Sequence, residues 1–279
     1  METPVLEFKD ATIRFGGLTA VAPLSFAIPR GQLAAIIGPN GAGKTTVFNL
    51  ITGVYAPTGG EIWVEGERVA SAGKSLKPHQ LVRRGVARTF QNIRLFGDLS
   101  VEDNVRAAFA SRAGYGFLGS LLQSGRMAQQ ESWIESETAK LLDIFRLSKR
   151  KDEISRNLPY GDQRRLEIAR ATATEPKILL LDEPTSGMNP SETEAVTQTI
   201  RLVREQLNIT VLLIEHHMSL VMSICERVVV LDGGVKIADD VPAAIQNNPH
   251  VIAAYLGESD PELDAAIEQG ESLAEEAAT

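Results

Sequence analysis

The sequence predicts an α/β protein with a mainly parallel core sheet, an antiparallel β subdomain and a helical subdomain. Three observations predict it. Short, continuous aliphatic runs at residues 178–181, 211–214 and 228–231 alternate with helix-like segments. That is the pattern of strands buried on both faces of a parallel sheet. Much of the first 70 residues alternates apolar and polar side chains, as half-buried antiparallel strands do. Between about 92 and 157 strand signals are few, and Ala, Arg, Glu and Leu dominate, which reads as a helical insertion.

Along the chain, residues 5–15 alternate partly and residues 24–28 more cleanly, each as a strand. Pro29-Arg30-Gly31 is a turn. Residues 32–37 form an apolar strand that runs into glycines, and 45–52 read as a helix stopped at Gly53. A turn at 57–60 introduces the strand 61–65, and a further strand is expected at 85–90. Residues 132–145 have helical periodicity, while the glycines at 114–119 and Ser124-Gly125 read as a loop. A helix over 164–173 precedes the strand 178–181. The helix 192–206, the strand 210–214, the helix 218–225 and the strand 227–231 follow. One domain over 1–257 is expected, with a helical subdomain inserted at about 92–175, and an acidic, flexible tail over 258–279.

Composition narrows the function classes. The formal charge is -8. Of the 36 acidic residues, eight lie in 258–279, which has no Lys or Arg, leaving 28 against 28 basic residues in the body. A neutral body argues against a nucleic-acid binder. The lone cysteine, Cys225, cannot form an intrachain disulfide, and a reducing compartment fits. The first residues lack the basic start and apolar core of a signal peptide. The aliphatic runs fall far short of the roughly 20 residues that span a bilayer. Work at a membrane would therefore go through a partner.

Two motifs carry chemistry. Gly38-Pro39-Asn40-Gly41-Ala42-Gly43-Lys44-Thr45 fits G-x-x-x-x-G-K-[ST] at every fixed position. A phosphate chain needs several main-chain N–H groups turned inward, which glycines permit, and a helix N-terminus aimed at it. Lys44 can reach the β- and γ-phosphates, and the Thr45 hydroxyl can ligate Mg²⁺. An apolar strand before and a helix after complete the context. The strand at 178–181 runs into Asp182 and Glu183. Alone, such a pair could cap a helix. At the end of a parallel strand, downstream of a phosphate loop, Asp182 would hold Mg²⁺ and Glu183 would polarise an attacking water.

Three further segments fall in order: Gln91 after the strand 85–90; Leu158-Pro159-Tyr160-Gly161-Asp162-Gln163 opening a helix; and His216 after the strand 210–214. The whole series, over residues 5 to about 235, resembles the ABC-type ATPases with their P-loop NTPase fold. The resemblance implies ATP and Mg²⁺ as cofactors. It implies that Phe15 stacks on adenine and that Thr46 belongs to the phosphate site. It assigns Gln91 to Mg²⁺, the attacking water and the hinge of the helical subdomain, and His216 to the γ-phosphate. Pro159, Tyr160, Gly161 and Asp162 would be the signature that meets ATP held by a second subunit, across a crossing loop at 184–190. Alternatives stay open: Phe15 as a core residue, Gln91 as a solvated loop residue, and His216 or His217 as a helix cap.

The signature departs from the family's L-S-G-G-Q. Pro159 replaces Ser, Tyr160 the first Gly and Asp162 the Gln, while Asn189 stands where the crossing loop usually carries Asp. A lost serine hydroxyl removes a charge-assisted bond of roughly 1.5–3 kcal/mol. An aspartate near phosphate is unfavourable unless it points away.

Finer details resemble the ATP-binding subunits of branched-chain amino acid importers: Ala87-Arg88-Thr89-Phe90-Gln91, Leu158-Pro159-Tyr160-Gly161, Ile214-Glu215-His216-His217-Met218 and residues 248–257. The implied partners are a second ATPase subunit, identical or sibling, two integral membrane permeases, and indirectly a substrate-binding protein, with no nucleic acid. The implied location is the cytoplasmic face of the bacterial inner membrane, as a peripheral subunit. Rival readings are the ATPase of a lipopolysaccharide-export-type system and an ATP-switched soluble interaction protein. Phe90, Ile93, Leu95 and Phe96 would either seat a permease helix or pack the subdomain core.

Overall fold

The computed structural model of the chain describes residues 3–112 and 124–255. The expected tail at 258–279 and the expected loop at 114–119 lie outside them. The chain opens with β1 (Leu6–Phe15) and β2 (Leu18–Ile28), then β3 (Leu33–Ile37), which leads through a glycine-rich loop into α1 (Lys44–Ile51). The strands β4 (Gly59–Val64), β5 (Glu67–Ser71) and β6 (Lys74–Ser75) precede α2 (Pro78–Arg83) and β7 (Val86–Arg88). The helical subdomain comprises α3 (Val101–Arg112), α4 (Ser124–Ile144) and α5 (Tyr160–Thr172). Strand and helix then alternate through β8 (Ile178–Asp182), α6 (Pro190–Leu207), β9 (Thr210–Ile214), α7 (Met218–Ile224) and β10 (Arg227–Asp232). The strand β11 (Val235–Asp240) and the helices α8 (Pro242–Gln246) and α9 (Pro249–Tyr255) close the described chain.

The antiparallel strands form one sheet in the order β2-β1-β4-β5-β6. The second sheet runs β11-β10-β3-β9-β8-β7, parallel except at β11, which pairs antiparallel with β10. Every residue of β3, β8 and β9 is buried, and their side chains alternate between two cores. Leu33, Ala35, Ile37, Leu179, Leu181 and Leu213 face a core shared with the helical subdomain and α6. Ala34, Ile36, Leu180, Leu212 and Ile214 face α1 and the antiparallel sheet, where Phe8 stacks on Phe26 at 4.7 Å. The central sheet is therefore the partition between the two halves. Its order also sets β3, β9 and β8 side by side. The loops leaving their C-terminal ends carry the phosphate motif, His216 and Glu183, and the next strand, β7, leads to Gln91.

Several boundaries differ from the sequence expectation. The helix α5 starts at Tyr160, four residues ahead of the expected start. Pro159 is its N-cap, and Gly161, a poor helix former, disguised a first turn in which Asp162 suits the helix dipole. Ser124-Gly125 open α4 instead of forming a loop, because one glycine costs little against a 21-residue helix. That helix is held by Ile134, Leu141 and Leu142, with Phe145 just beyond its end, all buried at helical spacing. Asn189 N-caps α6, its side chain accepting from the Glu192 N–H at 3.0 Å.

The hairpin of β10 and β11 is pinned by Arg227, whose Nε and Nη2 donate to Asp239 at 2.7 and 2.9 Å, with Lys236 adding a third bond at 2.9 Å. Burial alone would raise the Asp239 pKa, but these hydrogen bonds and charges outweigh it and hold the carboxyl below its usual value. A depressed folded-state pKa contributes stability that is present above the unfolded value and lost as pH falls through the folded one. Asp239→Asn is therefore expected to lower the urea midpoint at pH 7. That gap should shrink as the pH of the titration falls below about 4.

Candidate active site

The phosphate motif occupies the turn from β3 to α1. Two glycines there have no substitute. Gly38 sits at φ +148°, where a Cβ would stand 1.9 Å from the Leu231 carbonyl oxygen, and Gly43 sits at φ +98°, where a Cβ would stand 2.8 Å from that of Ala20. Lys44, 6% exposed, folds back under the loop and donates to the carbonyls of Gly38 and Pro39. Asn40, Gly41, Ala42, Gly43, Lys44, Thr45 and Thr46, together with Glu183 and His216, line a cavity of about 210 Å³. The first turn of α1 leaves its N–H groups without helical partners at the cavity's edge, beside a buried ammonium. That combination suits a polyanion.

Glu183 leaves β8 in the left-handed backbone region at φ +46°, its N–H donating to the Ile214 carbonyl at 2.9 Å. A non-glycine residue there stores roughly 1–3 kcal/mol of strain, and such strain clusters at functional sites. Its carboxylate is gripped from both sides. Gln91 Nε2 donates to Oε2 at 2.7 Å, and His216 Nε2 lies 2.9 Å from Oε1. With Glu183 as the acceptor, this contact takes the His216 tautomer that carries its hydrogen on Nε2. Gln91 is exposed, but it is not a purely solvated loop residue. His217 holds the N-cap position of α7 with no side-chain capping bond.

Behind His216 lies Glu215, 2% exposed. Its Oε1 accepts from the Thr185 N–H at 2.9 Å and the Thr185 hydroxyl at 2.7 Å, and its Oε2 from the His216 N–H at 3.1 Å. It ties the start of the 184–190 loop to the His216 turn. Sequence reasoning passed over Glu215, although a carboxylate directly after a buried aliphatic strand is a signal. Arg88 was passed over too. Its Nη2 donates to Asp182 Oδ2 at 2.6 Å in a nearly buried pair, and its Nη1 to Asn49 Oδ1 at 2.7 Å. Asp182 is thus locked to α1 through Arg88 and is not part of the cavity wall formed by residues 40–46, Glu183 and His216. Thr45, Gln91 and Asp182 offer hydroxyl, amide and carboxylate oxygens, the hard donors that suit Mg²⁺.

Phe15 is 45% exposed and meets Tyr55 edge-on at 5.1 Å, which rules out the core reading. Pro159, Tyr160, Gly161 and Asp162 do not line the cavity of their own chain. Tyr160 is 41% exposed, and Gly161 is buried against Glu192. Asp162 pairs with Arg165 and with Arg150, the latter at 3.1 Å, which neutralises the charge that the signature position would not tolerate. Phe90, Leu95 and Phe96 line a separate cavity of about 520 Å³ with Val82, Ala87 and Ala108. Phe96 is 52% exposed there. Ile93 is half-buried and outside that lining.

Comparison with known proteins agrees with this geometry. Residues 21–186 match the family model described as ABC transporter, and residues 235–261 match the one described as Branched-chain amino acid ATP-binding cassette transporter. The high-affinity branched-chain amino acid transport ATP-binding protein BraF of Pseudomonas aeruginosa is 44% identical over 259 residues, covering 93% of this chain and all of that protein. LivG of Escherichia coli (strain K12), with the same description, is 42% identical over the same shares. A crystal structure of the ADP conformation of an ATP-binding cassette of an ABC transporter superposes with a TM-score of 0.77 at 27% identity, over 92% of this chain and all of that one.

Two substitutions should separate binding from chemistry. Glu183→Gln keeps the size of the side chain but removes the basic oxygen, and its single amide oxygen can accept from only one of Gln91 and His216. It should lower ATP turnover by on the order of 10²–10⁴-fold, with nucleotide affinity held. Lys44→Ala should instead weaken nucleotide affinity, measured by fluorescence titration with a labelled ATP.

Proposed function

From the premise that this chain belongs to the ABC transporter family, we propose that it is the ATP-hydrolysing subunit of an importer for branched-chain amino acids. The observation that carries hydrolysis is the Glu183 carboxylate held between Gln91 and His216 across the cavity from Lys44. In this reading the loop from Gly38 to Thr46 holds the phosphates, Phe15 stacks on the adenine and Tyr55 braces Phe15. Thr45, Gln91 and the remaining oxygen of Asp182 would hold Mg²⁺, which would supply positive charge to offset that of the phosphates. Glu183 accepts a proton from the attacking water as its oxygen bonds to the γ-phosphorus, and the bond to the β,γ-bridging oxygen breaks. Gln91 orients the water, and His216, through its one Nε2–H, holds the Glu183 carboxylate in position. Positioning and electrostatics do most of the work.

Two such subunits, identical or sibling, close around two nucleotides, with residues 158–163 of each meeting the ATP of the other. The placement of those residues outside their own chain's phosphate cavity supports this. Tyr160 and the Gly161 N–H then take over from the missing serine. The cavity beside Phe90, Leu95 and Phe96 seats a helix of a permease, two of which complete the transporter. No helix among the described residues is long and apolar enough to cross a membrane; in this reading the subunit works against its permeases from the cytoplasmic face. The amino acid itself is chosen by a substrate-binding protein and the permeases. The branched-chain class rests on the 42–44% identity to BraF and LivG and on the match at residues 235–261.

The test is the assembled transporter in proteoliposomes. Leucine-loaded binding protein should stimulate ATP hydrolysis and leucine uptake together, and chelating Mg²⁺ should abolish both. Stimulation by a different solute class, with leucine, isoleucine and valine inert, would sink the substrate assignment. Turnover indifferent to any permease would sink the transport reading.

A further inference from the structure

The loop that carries Gln91 has no regular structure of its own, since β7 ends at Arg88 and α3 begins at Val101. Its first residues, 90–94, are nevertheless held tightly by the side chains of one helix. Arg164, Glu167 and Arg170 recur every three residues on α5, and residues at that spacing share a helix face. Arg164 is fully buried. Its Nη1 donates to the Phe90 carbonyl and its Nη2 to the Gln91 carbonyl, each at 2.7 Å. Glu167, 2% exposed, accepts from Arg164 at 2.8 Å with one oxygen and from the Arg94 N–H at 3.0 Å with the other. Arg170 donates to the Arg94 carbonyl. Three side chains of one helix thus hold four main-chain groups between residues 90 and 94.

Burying an ion pair gives little net stability over apolar packing of the same volume. What this one supplies is position: a planar guanidinium fork fixes two carbonyls in direction as well as distance. The two ends of the arrangement matter. The Gln91 side chain bonds to Glu183 at 2.7 Å, in the hydrolytic site. The first turn of α5, Tyr160 to Gln163, belongs to the signature segment, and Arg164 is the next residue of the same helix. The main chain of Gln91 is bonded to α5, while its side-chain amide is bonded to Glu183 at the end of β8.

We propose that Arg164, Glu167 and Arg170 form a positioning stripe that couples the signature turn to Gln91, with Arg164 as the residue that aims Gln91 at Glu183. Displacement of residues 159–162 and engagement of Glu183 by Gln91 are then one motion. This rests on the reading of Gln91 as a group that orients the attacking water, and Gln91→Ala alone tests that reading.

The experiment is a double-mutant cycle on the full chain in its assembled transporter, measuring kcat and ATP affinity separately. Arg164→Lys keeps the charge beside Glu167 but loses the fork, so it carries the test even where Arg164→Met does not fold. Arg164→Lys should lower kcat about tenfold with ATP affinity within about twofold. In the Gln91→Ala background its further effect should shrink to about twofold or less, because contacts acting through one group are non-additive. If Gln91→Ala leaves kcat unchanged, both the Gln91 reading and the stripe fall. If Gln91→Ala lowers kcat but Arg164→Lys costs the same in both backgrounds, or acts only on affinity or thermal stability, the stripe alone is overturned.

Discussion

A single carboxylate organises this molecule's chemistry. Glu183 sits at the end of a fully buried strand in a backbone conformation that an ordinary side chain avoids, and two polar groups from other elements hold its oxygens in place. The strain is sustained by what surrounds it. Its N–H is bonded to β9, Leu181 and Asp182 before it are locked in the sheet, and Thr185 after it is tethered to Glu215. Take away the sheet order β3-β9-β8-β7 and the phosphate loop, His216, Glu183 and Gln91 would no longer share one edge. The fold serves to bring four loops together and to keep the Glu183 carboxylate facing a cavity lined by the phosphate motif.

The same site draws on both halves of the protein. Its phosphate loop is braced by Ala20 of the antiparallel sheet and by Gly234 in the β10–β11 turn, both close to Gly43. Its Gln91 is braced by the helical subdomain, through α5. The altered signature fits this scheme. Pro159 starts the helix without a hydroxyl, Tyr160 stands exposed, and Asp162 has its charge answered by Arg150 and Arg165. The aspartate thereby becomes a local ion-pair partner.

Much of this was legible in the sequence, for identifiable reasons. The phosphate motif needs fixed glycines, and buried parallel strands need unbroken aliphatic runs with polar groups at their ends, so Gly38, Lys44, Asp182 and Glu183 could be placed from pattern, while His216 rested on the resemblance to the ABC-type ATPases. The strand Thr210–Ile214 was bounded to the residue. The start of α5 was not, because a proline and a glycine in the first turn look like loop. Pairings across the chain left no local trace. Arg88 and Asp182 are 94 residues apart. The acceptors of Arg164 are main-chain carbonyls, which every residue has. Charges buried in a helix read from sequence as a solvated face until the neighbour that covers them is known.

The account stands or falls on Glu183 and its two partners acting as one unit. The direct measurement is single-turnover ATP hydrolysis by Glu183→Gln, His216→Ala and the double variant. If the unit is real, the double variant hydrolyses within about threefold of Glu183→Gln alone, since a holder has no effect once the base it serves is gone. If the two losses multiply, His216 acts independently of Glu183 and the shared-carboxylate mechanism is contradicted.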